Sequence, residues 1–489
     1  MDDSDCRSRV PSGGDVGPGP SNSDYMDGLG VTVQSATIGH SDRCKPGQAA
    51  LDSGVLPPPR ETLGRLYQAA IDGANPETAT RDAVAQLAPG SDSVHIIALG
   101  KAAVAMANGA IAALGRAPTG GVIVAPASAP SSLPVVVGDH PIPGAGSLAA
   151  ATAIGEAIAR VGSAERVLAL VSGGASALVA APLPDIEDFG PIELARLYEA
   201  LLASGADIEI VNGVRKRFTR WSAGRVATAL PGRRIDCLLV SDVPGDDPAS
   251  ISSGPCVGDP MFTSDLIARL ERSGRWLRLD QVVRRHLERI ACGEHPDTPK
   301  PGDPAFMRVT ARVIVSNRHA VEAAAARARE LGIDEVIVVP TLLSGEASIV
   351  GVRMASELLA RRKLARGAYR SRCVLWGGET TVTLGAAPGL GGRSQELALA
   401  AARSLADAGE TASGIAILAA GTDGRDGPTD AAGAIVDGLT WTAVSAAGRD
   451  PAADLASHDA YRALDAASAL LRTGYTGTNV MDVAFGLIV

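Results

Sequence analysis

Residues 94–103 read VHIIALGKAA: an apolar, partly β-branched run that ends at Gly100, then one lysine, then the alanines that open a helical stretch. A short apolar run of this kind fits a buried strand, and the glycine permits a tight turn into the helix that follows. The arrangement returns in RVLALVSGGASAL at 166–178, IDCLLVSDVPGDD at 235–247, RCVLWGGETT at 372–381 and GIAILAAGTDGRDGPTD at 414–430, while GGRSQE at 391–396 opens a further helix. Strand, glycine turn and helix in alternation are the pattern of βαβ units, which predicts an α/β chain with mainly parallel sheets and helices on both faces. In such sheets the turns collect at the carboxyl ends of the strands, where backbone N–H groups and helix N-termini can hold a phosphate. The pattern points to an enzyme that handles an anionic substrate.

Composition narrows the partner. A chain of 489 residues is too long for one core and should divide into two or three domains. Apolar residues make up 46% but aromatic residues only 3%, which suits small-side-chain packing of helices on sheets and leaves little for stacking on nucleic acid. The formal net charge of −9, from 45 basic and 54 acidic residues, gives no cationic field to attract DNA, RNA or an anionic membrane. The cysteines Cys6, Cys44, Cys237, Cys256, Cys292 and Cys373 are scattered, with no CxxC pair and no histidine at zinc-finger spacing, as in a reduced interior. No apolar stretch of about 18 residues runs uninterrupted, and the opening MDDSDCRSRV is too acidic for a leader. The expectation is a cytoplasmic enzyme with a small-molecule partner and neither nucleic acid nor membrane, assembled as a homodimer.

Residues 1–58, rich in Gly, Ser, Asp and Pro, predict a disordered extension. The charged, then Pro-rich segment 271–304, ending in HPDTPKPGDP, reads as the connection between two lobes, 59–308 and 309–489. The last predicted strand covers 414–421 and the last predicted helix 459–471.

The turns supply the candidate residues. Lys101 would project from a strand end over a helix start, where an unopposed cation works against the helix dipole unless a phosphate sits beside it. The Walker A pattern is absent, because Ala102 follows the GK dipeptide. Gly173 and Gly174 allow close approach of a ligand to the backbone, and Ser172 and Ser176 offer hydroxyls. Asp242 comes first after its strand, with Asp246 and Asp247 behind it, where a carboxylate can hold Mg²⁺ or take a hydroxyl proton; Asp423, Asp426 and Asp430 form a second group, and both groups are equally at home in ordinary turns. Glu379 in GGETT and Arg393 in GGRSQE each sit among glycines, where Arg393 can grip a carboxylate or phosphate through two hydrogen bonds, and both read equally as solvated loop charges. Of the basic run Arg215, Lys216, Arg217, Arg220 and Arg225, two or three would face an anion and the rest solvent. His140, in the loop GDHPIPG, serves either to fix the loop or to touch the substrate.

Taken together, LGKAA, GDHPIPG, SGGASAL, LLASGADIEIVNGVRK, SDVPGDDPASISSGP, LSGEAS, WGGETTVTLGAAPGLGGRSQELALAAA, GTDGRDGPTDAAGA and TGTNVMDV, in this order, resemble the glycerate 2-kinase family, whose C-terminal half is the MOFRL domain. The resemblance runs from about Leu63 to the C-terminus. It implies a larger Rossmann-like N-terminal domain, a smaller α/β C-terminal domain and a cleft between them, with ATP and Mg²⁺ used to phosphorylate the 2-hydroxyl of D-glycerate. It also implies that the family's active-site lysine and arginine fall on Lys101 and Arg393. In that frame Lys101, Arg393 and Asp242 are the expected catalytic residues. Ser172, Gly173, Gly174, Ser176, Glu379 and Thr380 are expected to hold the nucleotide, His140, Arg215 and Arg393 the substrate, and Asp242 with Asp247 the metal.

The chain departs from the family pattern at Gly144, where an Asp is usual, at Arg217, Phe218 and Thr219 for His, Leu and Ser, at Ser222 and Ala223 for Lys and Gly, and at Ser394 and Met481 for Asn. These changes bear on which acid is accepted. Two other classes stay open: a nicotinamide-dependent reductase of the hydroxypyruvate type, although GxGxxG is missing, and a non-catalytic sensor of a sugar acid.

Overall fold

The computed structural model describes residues 56–90, 92–364, 371–385 and 387–489, so nearly all of the extension expected over 1–58 lies outside the described residues. Among the described residues, twelve strands form two six-stranded sheets. In chain order they are β1 (Val94–Leu99), β2 (Gly120–Ala125), β3 (Val135–Val137), β4 (Arg166–Val171), β5 (Arg234–Val240), β6 (Val309–Val315), β7 (Glu335–Val338), β8 (Arg372–Gly378), β9 (Ile415–Gly421), β10 (Gly433–Asp437), β11 (Leu470–Leu471) and β12 (Asp482–Ile488).

The first sheet, ordered β3-β2-β1-β4-β5-β6, is parallel throughout, as expected. β1 and β4 are buried along their whole length, which is why they read as unbroken apolar runs and not as alternating ones. The second sheet, β11-β10-β9-β12-β8-β7, corrects the expectation of mainly parallel pairing: only β7 and β8 run parallel, and β12 inserts antiparallel between β8 and β9.

Three further corrections concern organisation. β6, assigned from sequence to the second lobe, pairs with β5 as the edge strand of the first sheet. Segment 271–304 is no bridge between lobes. It contains the helix Gln281–Ala291, whose Val283 and Leu287 are buried in a core with Phe218, and its proline stretch lies along the first lobe, where Asp259 N–H donates to Pro299 O and Thr298 donates to Asp259. The helix expected over 459–471 spans Ala460–Ala466, and the chain then turns at Ser468 into β11.

The helix Pro59–Gly73 starts with proline at its first position and Glu61 in its first turn, both favourable at a helix N-terminus. It buries Leu63, Leu66, Tyr67 and Ala70, one face of a 3.6-residue repeat. That face joins a core shared by both sheets, containing Ile96 and Leu170 from the first and Leu375, Leu418 and Phe485 from the second. Tyr67 Oη donates to Gly421 O at 2.7 Å, at the end of β9. Among the described residues no helix is long and apolar enough to cross a membrane.

Candidate active site

Because β1, β4 and β5 are adjacent and parallel, their carboxyl ends lie side by side and bring Lys101, the Ser172–Ser176 turn and Asp242 together. Lys101 N–H donates to Gly173 O at 2.9 Å, and Ala102 N–H to Ser172 Oγ at 2.9 Å. A Cβ on Gly173 would collide with the Asp242 carboxylate. Gly174, at φ +87°, has Lys101 and His140 against the position a Cβ would take. The two glycines are therefore required by the side chains that close over them. The N–H groups of Gly173 and Gly174 donate to no protein acceptor among the described residues.

Two serines pin this turn from outside. Ser252 Oγ donates to Ser172 O at 2.6 Å and accepts from Ala175 N–H at 3.2 Å, and Ser253 Oγ lies 2.8 Å from Ser176 Oγ. Both hold left-handed backbones, φ +50° and +60°, a strained state for non-glycine residues. Neither was singled out from sequence, where ISSGP looks like any turn.

In the second lobe, Glu379 follows β8 and Arg393 opens the helix Arg393–Asp407. Arg393 forms an ion pair with Glu379 at 2.7 Å and donates twice to Asp482, from Nε at 2.5 Å and from Nη2 at 2.9 Å. Asp482, the partner of Arg393 here, was not named as a site residue from the sequence. It is the first residue of β12, and because β12 is antiparallel its start sits opposite Gly378 and Gly421, the carboxyl ends of both neighbours. Asp426 underlies the site, accepting Ser394 N–H at 3.1 Å and Gln395 N–H at 2.7 Å at the helix start.

The two halves face each other electrostatically. Burial raises the Asp242 pKa, against the pull of the Lys101 cation. Burial also raises Glu379; Arg393 and Lys101 oppose this, while Asp482 and Asp242 add to it. Glu379 in the second lobe thus senses Asp242 and Lys101 in the first. Asp482 is raised by burial despite Arg393, and Arg393 is raised overall because Asp482 and Glu379 outweigh the cost of its burial. His140 is held down to about 4 by desolvation and by the Lys101 and Arg215 cations, so it is neutral at physiological pH.

Other nominated residues fall elsewhere. The Ser172 hydroxyl is committed to Ala102 and is buried. Thr380 is buried in a small void with Ser394 and Asp482, behind Arg393. Asp247 is exposed and occupied with its own turn, accepting from Ala249 N–H at 3.1 Å and Ser250 Oγ at 2.7 Å. Arg215 is buried with its guanidinium over the Tyr198 ring at 4.3 Å. Among the described residues no group of three or more His, Cys, Asp or Glu side chains could hold a metal ion.

Most departures from the family pattern are structural. Arg217 is fully buried in ion pairs with Asp259 at 3.1 Å and Asp297 at 3.3 Å. At Gly144 a Cβ would meet the Asp139 carboxylate, which accepts Ser147 N–H at 3.1 Å near the start of the helix Ala145–Ala159. Ala223 (φ +53°) and Met481 (φ +68°) hold left-handed backbones where the family has Gly and Asn, the residues that tolerate them best.

Comparison with known proteins shows the family of the chain. Residues 62–288 match a domain of unknown function (DUF4147) and residues 372–482 match the MOFRL family. A D-glycerate 2-kinase of Thermotoga maritima is 35% identical over 428 residues, 87% of this chain and 97% of that protein. The crystal structure of a glycerate kinase from the same organism superposes with a TM-score of 0.76 at 34% identity, covering 88% of this chain and 99% of the other. The chain belongs to the glycerate kinase family. A protein of Agrobacterium vitis described as a putative hydroxypyruvate reductase is 36% identical over 436 residues, covering 88% of this chain and 94% of its own. The family's two-domain α/β architecture is the one found here.

Proposed function

We propose that the protein transfers the terminal phosphoryl group of ATP to the 2-hydroxyl of D-glycerate. The observation that carries this reading is the convergence of Lys101 and Asp242 from one sheet with Arg393 and Glu379 from the other. Phosphoryl transfer asks chiefly for positioning and charge neutralisation, which such a double-sided polar cleft supplies.

In this mechanism Lys101 and the free N–H groups of Gly173 and Gly174 hold the phosphates. Glu379, its pKa raised by burial and its position set by Arg393, takes the 2-hydroxyl proton as the hydroxyl oxygen bonds to phosphorus and the bond to ADP oxygen breaks. Arg393 keeps N–H groups beyond those given to Asp482 and Glu379, and these meet the charge on the migrating phosphoryl group. Asp242 fits Mg²⁺, which is commonly held by one or two carboxylates together with phosphate oxygens, and bound Mg²⁺ would neutralise those oxygens. The exposed, turn-bound Asp247 fits that role less well.

The test is ADP release with Mg-ATP and D-glycerate, with phosphorus NMR of the product. Formation of 2-phosphoglycerate supports the reading, and a folded, ATP-binding protein that releases no ADP with D-glycerate overturns it. The Agrobacterium relative's description keeps a reductase in view. Against it, the turn after β1 presents a lysine where a dinucleotide fold has its glycine fingerprint, and NADH oxidation by hydroxypyruvate would decide in its favour. We place the enzyme in the cytoplasm, consistent with free, buried Cys237, Cys256 and Cys373, and as a homodimer, which light scattering on the purified chain would check.

A further inference from the structure

Three consecutive basic residues on the helix Ile208–Phe218 are treated differently by the fold. Lys216 pairs with Asp259 at 3.0 Å, and Arg217 pairs with Asp259 and Asp297. Arg215, only 8% exposed, has no carboxylate within ion-pair distance among the described residues, its guanidinium makes no hydrogen bond to them, and its Nε is buried without a partner. It rests on the face of Tyr198, which is itself fully buried and fixed by donating from Oη to Ser176 O at 2.7 Å. Through Ser176 this platform is tied to the glycine turn, and the Arg215 charge is felt at His140, which also feels Lys101.

A buried, unpaired guanidinium is costly, and an anion that docks on it offsets the cost. Three cations are tied to the site, and they are not equivalent. Arg393 is already committed, with Nε and Nη2 donating to Asp482 and Nη1 paired with Glu379, and its remaining N–H groups are those that meet the migrating phosphoryl group. Lys101 stands on the turn whose N–H groups suit phosphate. Arg215 has a planar fork of donors with nothing in it, a geometry matched to a carboxylate, and the neutral His140, which packs against Gly174 and feels the Arg215 charge, can add a hydrogen bond without adding charge.

We propose that Arg215, and not Arg393, receives the carboxylate of the hydroxy-acid substrate, so that Arg215 is the residue that makes the enzyme selective for acids over neutral alcohols. This rests on the kinase reading, and it adds which end of the substrate points into the first lobe.

The experiment compares full-length wild type, Arg215→Met and Arg215→Lys with D-glycerate and with its uncharged amide, at varied ATP. For Arg215→Met, kcat/KM for D-glycerate should fall roughly a hundredfold or more, carried by KM, while kcat/KM for the amide and KM for ATP stay within about twofold. Arg215→Lys should recover part of the loss. A raised KM for ATP with an unchanged KM for D-glycerate would assign Arg215 to phosphate and overturn the proposal, as would equal losses on acid and amide. Removing an unpaired buried charge should leave the unliganded Arg215→Met at least as resistant to heat as wild type, and a lower melting temperature would also count against the proposal. If wild type turns over no hydroxy acid, the kinase reading fails separately and thermal protection by D-glycerate without nucleotide decides the site. Protection of wild type but not of Arg215→Met sustains the carboxylate assignment, and any other pattern overturns it.

Discussion

Asp482 grips Arg393 through two hydrogen bonds, 2.5 Å to Nε and 2.9 Å to Nη2, from the first position of a strand that runs against both of its neighbours. Asp482 thereby aims a guanidinium that also holds Glu379. Asp482→Asn should lower kcat by about 10²-fold with little change in KM for D-glycerate, because a displacement of about 1 Å in a positioned group is enough for that loss. Steady-state ADP release separates the two parameters, and an unchanged kcat would remove Asp482 from the positioning of Arg393.

Lys101 has an exposed side chain. Lys101→Ala should cost about 10²- to 10³-fold in turnover, the usual loss for one donor to developing charge. Its urea-unfolding free energy should change by no more than about 0.5 kcal/mol. Near-normal turnover in the folded variant would exclude Lys101 from phosphate binding.

Burial, with help from the Asp482 charge, pushes the Asp426 carboxyl up to about 7, against the N–H groups of Gln395 and Ser394 and the Arg393 cation. Since this pKa is raised in the folded state, the native protein binds the extra proton between about pH 4 and 7, and this group's contribution to stability falls as pH rises through that window. Asp426→Asn, which stays neutral, should flatten that part of the stability profile, by an amount on the order of 2–4 kcal/mol across the window. Urea titrations of both proteins at pH 4.5, 6 and 7.5 measure the difference, and parallel profiles would refute the assignment.

Two exposed residues end helices in the left-handed conformation: Ala88, at φ +41°, after the helix Pro76–Leu87, and Ser468, at φ +53°, after the helix Ala460–Ala466. Glycine adopts this conformation without the Cβ penalty. Ala88→Gly and Ser468→Gly should each stabilise the protein by about 0.5–1 kcal/mol and leave turnover unchanged. Calorimetry checks the first and the coupled ADP assay the second.

The first lobe was legible because parallel strands obey one rule: whatever follows the strand lies at the site. Lys101, Ser172–Ser176 and Asp242 all follow strands of the first sheet and were found that way, and Glu379 follows β8 in the second. Asp482 breaks the rule because it opens an antiparallel strand, and no strand was read beyond residue 421. The division of roles within the basic run was equally hidden. Arg215 and Arg217 are two positions apart on one helix, and only the folded chain brings Asp259 and Asp297 to one of them and leaves the other without a carboxylate. The strained serines Ser252 and Ser253 could not be told from an ordinary turn, because what they do depends on a loop 77 positions earlier in the chain.

The helix Pro59–Gly73 enters early in the chain, yet Tyr67 bonds to the end of β9, and Leu63 and Leu66 share one core with Leu418 and Phe485. A ribosome therefore produces the cover long before the surface it covers. A fragment starting at residue 317, after β6, would carry that greasy face bare and should precipitate on expression, and supplying residues 56–316 as a separate polypeptide should restore a soluble, active pair.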